Sequence, residues 1–84
     1  MSYTRAAAIS YQEVHEYSYN REVERINALL SEHFGRTDSP ISVMIPDLHK
    51  KELLDAFEDG WNISYDYTDY EEDCSYHRFG PKYS

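Results

Sequence analysis

Residues Pro40–Trp61 read PISVMIPDLHKKELLDAFEDGW, and this stretch decides the fold because it sets a strand directly before a helix. Ile41-Ser42-Val43-Met44-Ile45 is a short apolar run rich in β-branched residues and bracketed by Pro40 and Pro46, which predicts a buried strand. Pro46 and Asp47 then form a helix start, with the Asp47 carboxylate placed to accept the free N–H groups of the first turn. Leu53, Leu54, Phe57 and then Trp61 recur at helical spacing. The helix predicted over Asp47–Asp59 therefore has one apolar face, with Trp61 covering the core and Gly60 standing where a left-handed residue would end it.

Toward the N-terminus, a second helix is expected from Arg21 to Phe34, with Asn20 as its cap and Glu22 and Glu24 in the first turn, where the helix dipole favours negative charge. Val23, Ile26, Leu29, Leu30 and Phe34 form its apolar stripe, and Gly35 stops it. Arg21, Glu22, Glu24, Arg25 and Glu32 mix their charges in the pattern of a solvated face. The first nineteen residues read two ways. A helix puts Tyr3, Ala7, Tyr11, Val14 and Tyr17 on one face, and a strand groups Ile9, Tyr11, Tyr17 and Tyr19. The alanines favour helix; the later Tyr, Val and Ile residues tilt the reading to a strand within about 6–17.

Toward the C-terminus, Ile63, Tyr65 and Tyr67 alternate with Ser64, Asp66 and Thr68, the period of a half-buried strand. His77 to Phe79 adds a short edge that Gly80-Pro81 ends. The expected order is β-α-β-α-β. It predicts an α+β fold, a small two-layer sandwich with two helices packed on a short sheet of about three strands.

A chain of 84 residues forms one domain, spanning 1–84, with an expected radius of gyration of roughly 12 Å. Its single cysteine, Cys74, has no internal partner for a disulfide and suits a reducing compartment. Met1–Ile9 lacks the pattern of a secretory signal, and no segment approaches the ~20 apolar residues of a membrane span. The expected location is the cytoplasm, that of a host cell if the protein is phage-encoded.

Sixteen Asp and Glu residues against eight Lys and Arg give a net charge of −8. Such a surface repels phosphates, which argues against a direct nucleic-acid binder and makes a basic partner the natural complement. The imbalance is concentrated: Asp55 to Asp73 contains eight carboxylates and no Lys or Arg.

Chemistry is sparse. His15, His33, His49 and His77 follow no metal-ligand spacing, and His15-Glu16 lacks the second histidine of a zinc-protease helix. Cys74-x-x-His77 offers two ligands where a structural zinc takes four, and it sits in what reads as a mobile C-terminal segment. Gly35, Gly60 and Gly80 are isolated and form no phosphate loop. The expectation is a binding protein with no catalytic residues, metal or cofactor.

The binding candidates lie in the Tyr/Asp/Glu-rich segment 55–76: Asp55, Glu58, Asp59, Asp66, Asp69, Glu71, Glu72 and Asp73 for charge, with Tyr65, Tyr67 and Tyr70 as anchors. Tyrosine supplies large contact area at low entropy cost. Carboxylates two apart on a strand repeat at about 6.5–7 Å, and those three or four apart on a helix at about 5–6 Å, so either element can present a row of charge like a phosphate backbone. A Lys- and Arg-lined groove built for DNA or RNA would attract that row. The leading expectation is an inhibitor that occupies the basic nucleic-acid site of a defence or DNA-processing protein. The alternative is a homodimeric regulatory or structural protein joined through its Tyr-rich face.

The run Ala56-Phe57-Glu58-Asp59-Gly60-Trp61-Asn62, with a short strand and helix before it and an acidic, tyrosine-containing segment after it, resembles the small prophage-encoded anti-CRISPR proteins that inhibit Cas9 by occupying its PAM-reading site. In that family a similar Ala-Phe-x-x-Gly-Trp-Asn run ends the helix, and the next segment supplies a tyrosine and carboxylates that imitate DNA. The resemblance places Tyr65 at the family's tyrosine, with Asp66 and Asp69 near its acidic cluster. Two features depart from the family. Tyr67 and Tyr70 replace acids, and Ile41 to Ile45 is the one clear central strand where the family has three strands directly after its first helix.

Overall fold

The computed structural model describes residues 7–83. In chain order the elements are α1 (Tyr11–Phe34), β1 (Ile41–Pro46), a 3₁₀ turn (Asp47–His49) running into α2 (Lys50–Phe57), β2 (Trp61–Asp69) and β3 (Cys74–Pro81). The strands form one antiparallel sheet of order β1-β3-β2. Ile26 and Leu30 of α1, Leu53 and Phe57 of α2, Val43 and Ile45 of β1 and Phe79 of β3 bury one another in a single cluster. Both helices therefore cover one face of the sheet, as an α+β two-layer domain. Trp61 opens β2 and half-buries its ring against Phe34 and Phe79, with centroids 4.9 and 6.5 Å away.

The N-terminal expectation is corrected. In place of a strand within about 6–17 and a helix from Arg21, one 24-residue helix starts at Tyr11. Asn20, expected as a cap, is an exposed interior residue. The cap is Ser10, whose Oγ accepts the Glu13 N–H at 3.2 Å, and Ser10-x-x-Glu13 is capping-box spacing. Tertiary contact then carries the helix through Tyr11, Val14, Tyr17 and Tyr19, which are weak helix formers: Ser18 and the rings of His15 and Tyr19 rest on His49. Of the face expected for a helical reading, Tyr3 lies outside the described residues.

A helix of that length spans about 36 Å, and the core takes only its second half. Ile9, Tyr11, Val14 and Tyr17 are exposed, so the first turns stand clear of the sheet. The radius of gyration is 16.8 Å and the longest extent 62 Å, well beyond the roughly 12 Å radius of a globular chain.

Gly35 ends α1 as expected, whereas Gly60, expected to end α2 in the left-handed region, does not adopt it. Gly35 stays right-handed at φ −72°, still donating to Ser31 O, and Gly60 also lacks a positive φ. Asp47 caps nothing with its carboxylate; its backbone N–H donates instead to Asp73 O at 3.0 Å.

The sheet also departs from expectation. β1 is an edge strand, and the segment expected to supply a short edge at His77–Phe79 is the eight-residue centre of the sheet. Its alternation is hidden because the covered face of β3 carries Ser75 and His77 beside Phe79, two polar side chains that are nonetheless buried. No helix among the described residues is long and apolar enough to cross a membrane.

Candidate functional site

The eleven expected binding residues distribute along β2 and beyond both of its ends. Asp55 is exposed on α2, and Glu58 and Asp59 are exposed in the turn leading into β2. Asp69 closes β2, and Tyr70, Glu71, Glu72 and Asp73 form the turn to β3. Nine strand residues span about 26 Å, so the acids form two groups joined by an edge strand instead of one cluster.

Within β2 a bulge separates the tyrosines. Tyr65 pairs with His77 and Tyr67 with Tyr76, with the register shift between them. Neighbouring residues of β3 face opposite ways, so Tyr65 lies on the helix-covered side and Tyr67 on the open side. This corrects the expected alternation that put Ile63, Tyr65 and Tyr67 on one face. Tyr65 is 60% exposed, stands edge-on to His77 and shares a 2.7 Å hydrogen bond between its hydroxyl and Thr68 Oγ1. Tyr67 stacks on Tyr76 at 4.6 Å, and burial followed by the charges of Tyr76, Asp66 and Asp69 raises its phenol pKa above the ordinary value. It therefore stays un-ionised.

Two of the carboxylates hold the structure. Asp66 Oδ2 accepts the Ser42 hydroxyl at 2.5 Å, and Asp69 Oδ1 accepts the N–H groups of Glu71 and Glu72 at 3.2 and 3.3 Å. The turn ends on Asp73 at φ 50°, a left-handed position that Asp tolerates better than most residues. Glu71, Glu72, Asp73, Asp55, Glu58 and Asp59 are all exposed. Asp47 joins the acidic turn through its hydrogen bond to Asp73, a contact no local spacing announces.

Cys74 is 4% exposed at the start of the central strand, which corrects the mobile segment expected there. Burial, then Asp69, Asp47, Glu72 and Asp73, push its thiol up, so it is protonated and a poor nucleophile at neutral pH. Cys74 and His77 sit three apart on one strand and so face opposite sides, leaving Cys74-x-x-His77 without a shared ligand position. His77 is buried with Nε2 2.9 Å from Ser75 Oγ; burial and then the nearby Lys50 charge lower its pKa.

Beside β2, on the helix side, a groove of about 480 Å³ is lined by Leu54, Trp61, Ile63, Tyr65 and His77, with Glu58 and Lys82 among its walls. An apolar and aromatic channel fits the aliphatic stem or ring of a partner side chain, while Lys82, which donates to Glu58 O at 3.1 Å, already sets a cation in its wall. With this geometry in hand, comparison with known protein families, curated proteins and solved structures yields no match.

A second constellation lies where α1 meets the 3₁₀ turn and α2. His15, His49 and Glu52 each bring a ligand-type atom within 4.8 Å of the others. His49 Nε2 lies 2.9 Å from Ser18 Oγ, so Ser18, His49 and Glu52 stand in the order nucleophile, base, acid. The 3.8 Å from His49 Nδ1 to Glu52 Oε2 exceeds a hydrogen bond, and Ser18 lies mid-helix, where backbone N–H groups are committed to the helix and supply no oxyanion hole. Sequence spacing does not reveal this group because the contact spans 37 residues, from His15 to Glu52. The available signal was local: His49 and Glu52 are one helical turn apart, and the capping box starts α1 early enough to carry His15 to them.

Proposed function

We propose that this protein is an inhibitor that docks its β2 edge, with the acidic turns at both ends, into the basic nucleic-acid site of a nuclease or defence complex. One observation carries the reading: an edge strand of about 26 Å, about the length of eight base pairs of one DNA strand, exposes Tyr65 between two groups of free carboxylates. The groove beside Tyr65 gives an apolar or aromatic side chain of a partner a place to insert. The Gly60-Trp61-Asn62 junction from helix to strand supports the anti-CRISPR resemblance, and with it Cas9 as the first target to test. The function is binding, in the cytoplasm of the cell that holds the target.

The test is DNA cleavage by a panel of guide-loaded Cas9 proteins, with this protein added before or after the target DNA. A mimic blocks cleavage only when it arrives first, and the block weakens as salt rises. Reversing Glu71 and Glu72 to Lys should remove it. Unchanged cleavage throughout, or inhibition that is indifferent to charge reversal and salt, overturns the reading.

Self-association is the second reading, favoured by a different surface from the Tyr-rich sheet. Ile9, just before α1, and Tyr11, Val14 and Tyr17 on its projecting part expose an apolar stretch. Sedimentation over a concentration range decides it, and a strict monomer removes it.

A further inference from the structure

We propose that His15, His49 and Glu52 form a binding site for a divalent transition metal, with Zn²⁺ the best-fitting ion. The ligand atoms are His15 Nε2, His49 Nδ1 and Glu52 Oε2, the oxygen lying 3.4 Å from the first and 3.8 Å from the second. Ligands about 2.0–2.1 Å from a tetrahedral ion stand about 3.3–3.4 Å apart. Octahedral neighbours at the same bond length stand about 2.9–3.0 Å apart. The two separations from the Glu52 oxygen, 3.4 and 3.8 Å, are nearer the tetrahedral than the octahedral value, all three ligand atoms lie within 4.8 Å of one another, and paired imidazoles favour a transition metal over the hard, oxygen-seeking ions.

The independent observation is His49 itself. It is 2% exposed, and its Nδ1 is buried without a hydrogen-bond partner. Its other nitrogen, Nε2, meets Ser18 Oγ at 2.9 Å. A metal-bound imidazole donates its remote N–H to an outer partner that fixes tautomer and ring orientation. With Ser18 Oγ accepting from Nε2–H, the tautomer a metal ligand uses, the Nδ1 lone pair is left free on the side of Glu52. In the other neutral tautomer Nε2 accepts the Ser18 hydroxyl and Nδ1–H faces Glu52 Oε2 across 3.8 Å, beyond hydrogen-bond reach, so Nδ1 has no protein partner in either tautomer. A cation between Nδ1 and the Glu52 oxygen satisfies both. His15 presents Nε2 to the same oxygen and keeps its own Nδ1 buried and unpartnered.

Access is open, since the His15 and Glu52 side chains are 23% and 54% exposed. Three protein ligands leave one tetrahedral position for water. The ion ties the projecting half of α1, through His15, to the turn that holds His49 and to Glu52 on α2. Binding to the folded chain alone stabilises it by mass action.

The experiment titrates untagged protein with Zn²⁺ by calorimetry and with Co²⁺ by visible spectroscopy, alongside thermal melts. One ion per chain, the intense d–d bands of four-coordinate cobalt and a melting temperature that climbs with Zn²⁺ are expected. His15→Ala and Glu52→Gln, surface-accessible changes that spare buried His49, should each abolish the cobalt bands with the circular dichroism spectrum retained. Ser18→Ala should weaken affinity by about 10–100-fold. No binding by the parent protein, a weak octahedral cobalt spectrum, or unchanged affinity in the folded His15→Ala/Glu52→Gln double variant would overturn the site.

Discussion

Tyr65 and Tyr67 are two residues apart on β2 yet lie on opposite faces of the sheet, because the bulge between them pairs Tyr65 with His77 and Tyr67 with Tyr76. One partner surface seated along the helix-side groove therefore buries Tyr65 and leaves Tyr67 at its margin. Tyr65→Ala is expected to cost about 2 kcal/mol of binding, roughly 30-fold, as a central aromatic anchor does. Tyr67→Ala should leave affinity within about threefold while losing the Tyr76 stack, about 0.5–1.5 kcal/mol of stability. Inhibition constants and urea melts on both variants check this. A reversed ranking would move the docking face to the open side of the sheet.

The acidic segment divides into carboxylates that hold the sheet and its turn, Asp66 and Asp69, and carboxylates that face solvent. Asp66→Asn and Asp69→Asn each weaken charge-assisted hydrogen bonds, and each should destabilise by about 1–2 kcal/mol. Gln at Glu71 and Glu72, exposed side chains, should stay within about 0.5 kcal/mol of the parent. Denaturant midpoints separate the pairs. Neutralising the whole segment at once is for this reason a poor binding test, since it perturbs the fold along with the charge.

Much of the architecture was legible where one face of an element meets the core. Val43 and Ile45, Leu53 and Phe57, and Ile26 and Leu30 were all marked by their spacing, and all are buried. Legibility failed where tertiary neighbours decide. β3 buries Ser75 and His77 by bonding them to each other, so its core face does not read as apolar. The start of α1 was written in Ser10 and Glu13, but its Tyr and Val residues carry strand propensity that the contact with His49 overrides. The acids and tyrosines of β2 were visible from composition alone. Their partition was not, because a bulge leaves no residue signature in Tyr65-Asp66-Tyr67.

Two glycines should respond oppositely to the same change. A Cβ on Gly60 would meet nothing within 4 Å, and its backbone lies outside the positive-φ region. Gly60→Ala should therefore stabilise by about 0.4–1 kcal/mol through the unfolded chain. A Cβ on Gly35 would lie 2.9 Å from the Ser31 carbonyl oxygen, a backbone atom that cannot swing aside. Gly35→Ala should give up the usual helical gain or destabilise. Thermal melts of the two variants check the contrast, and equal shifts would show that the end of α1 relaxes freely.

The buried His77 makes stability depend on pH in a direction fixed by its environment. Burial first, and the Lys50 charge second, hold its folded pKa below the ordinary value of about 6.5. Between that lowered value and about 6.5 the unfolded chain binds a proton that the folded chain does not, so stability rises with pH across this window. The contribution is complete above about pH 6.5 and is lost as acidification carries the protein down through the window. Tyr65 is edge-on to the ring, and Ser75 is its 2.9 Å hydrogen-bond partner, so neither neighbour supplies the negative charge that would rescue an imidazolium. His77→Asn removes the titration, and Lys50→Gln removes the repulsion and should reduce the acid-side loss. The measurement is urea midpoints from about pH 7.5 to 5.5, above the carboxylate range, for the parent and both variants. The parent should lose stability toward acid more steeply than His77→Asn, with Lys50→Gln between them; coincident profiles would mean that His77 takes up its proton equally in both states.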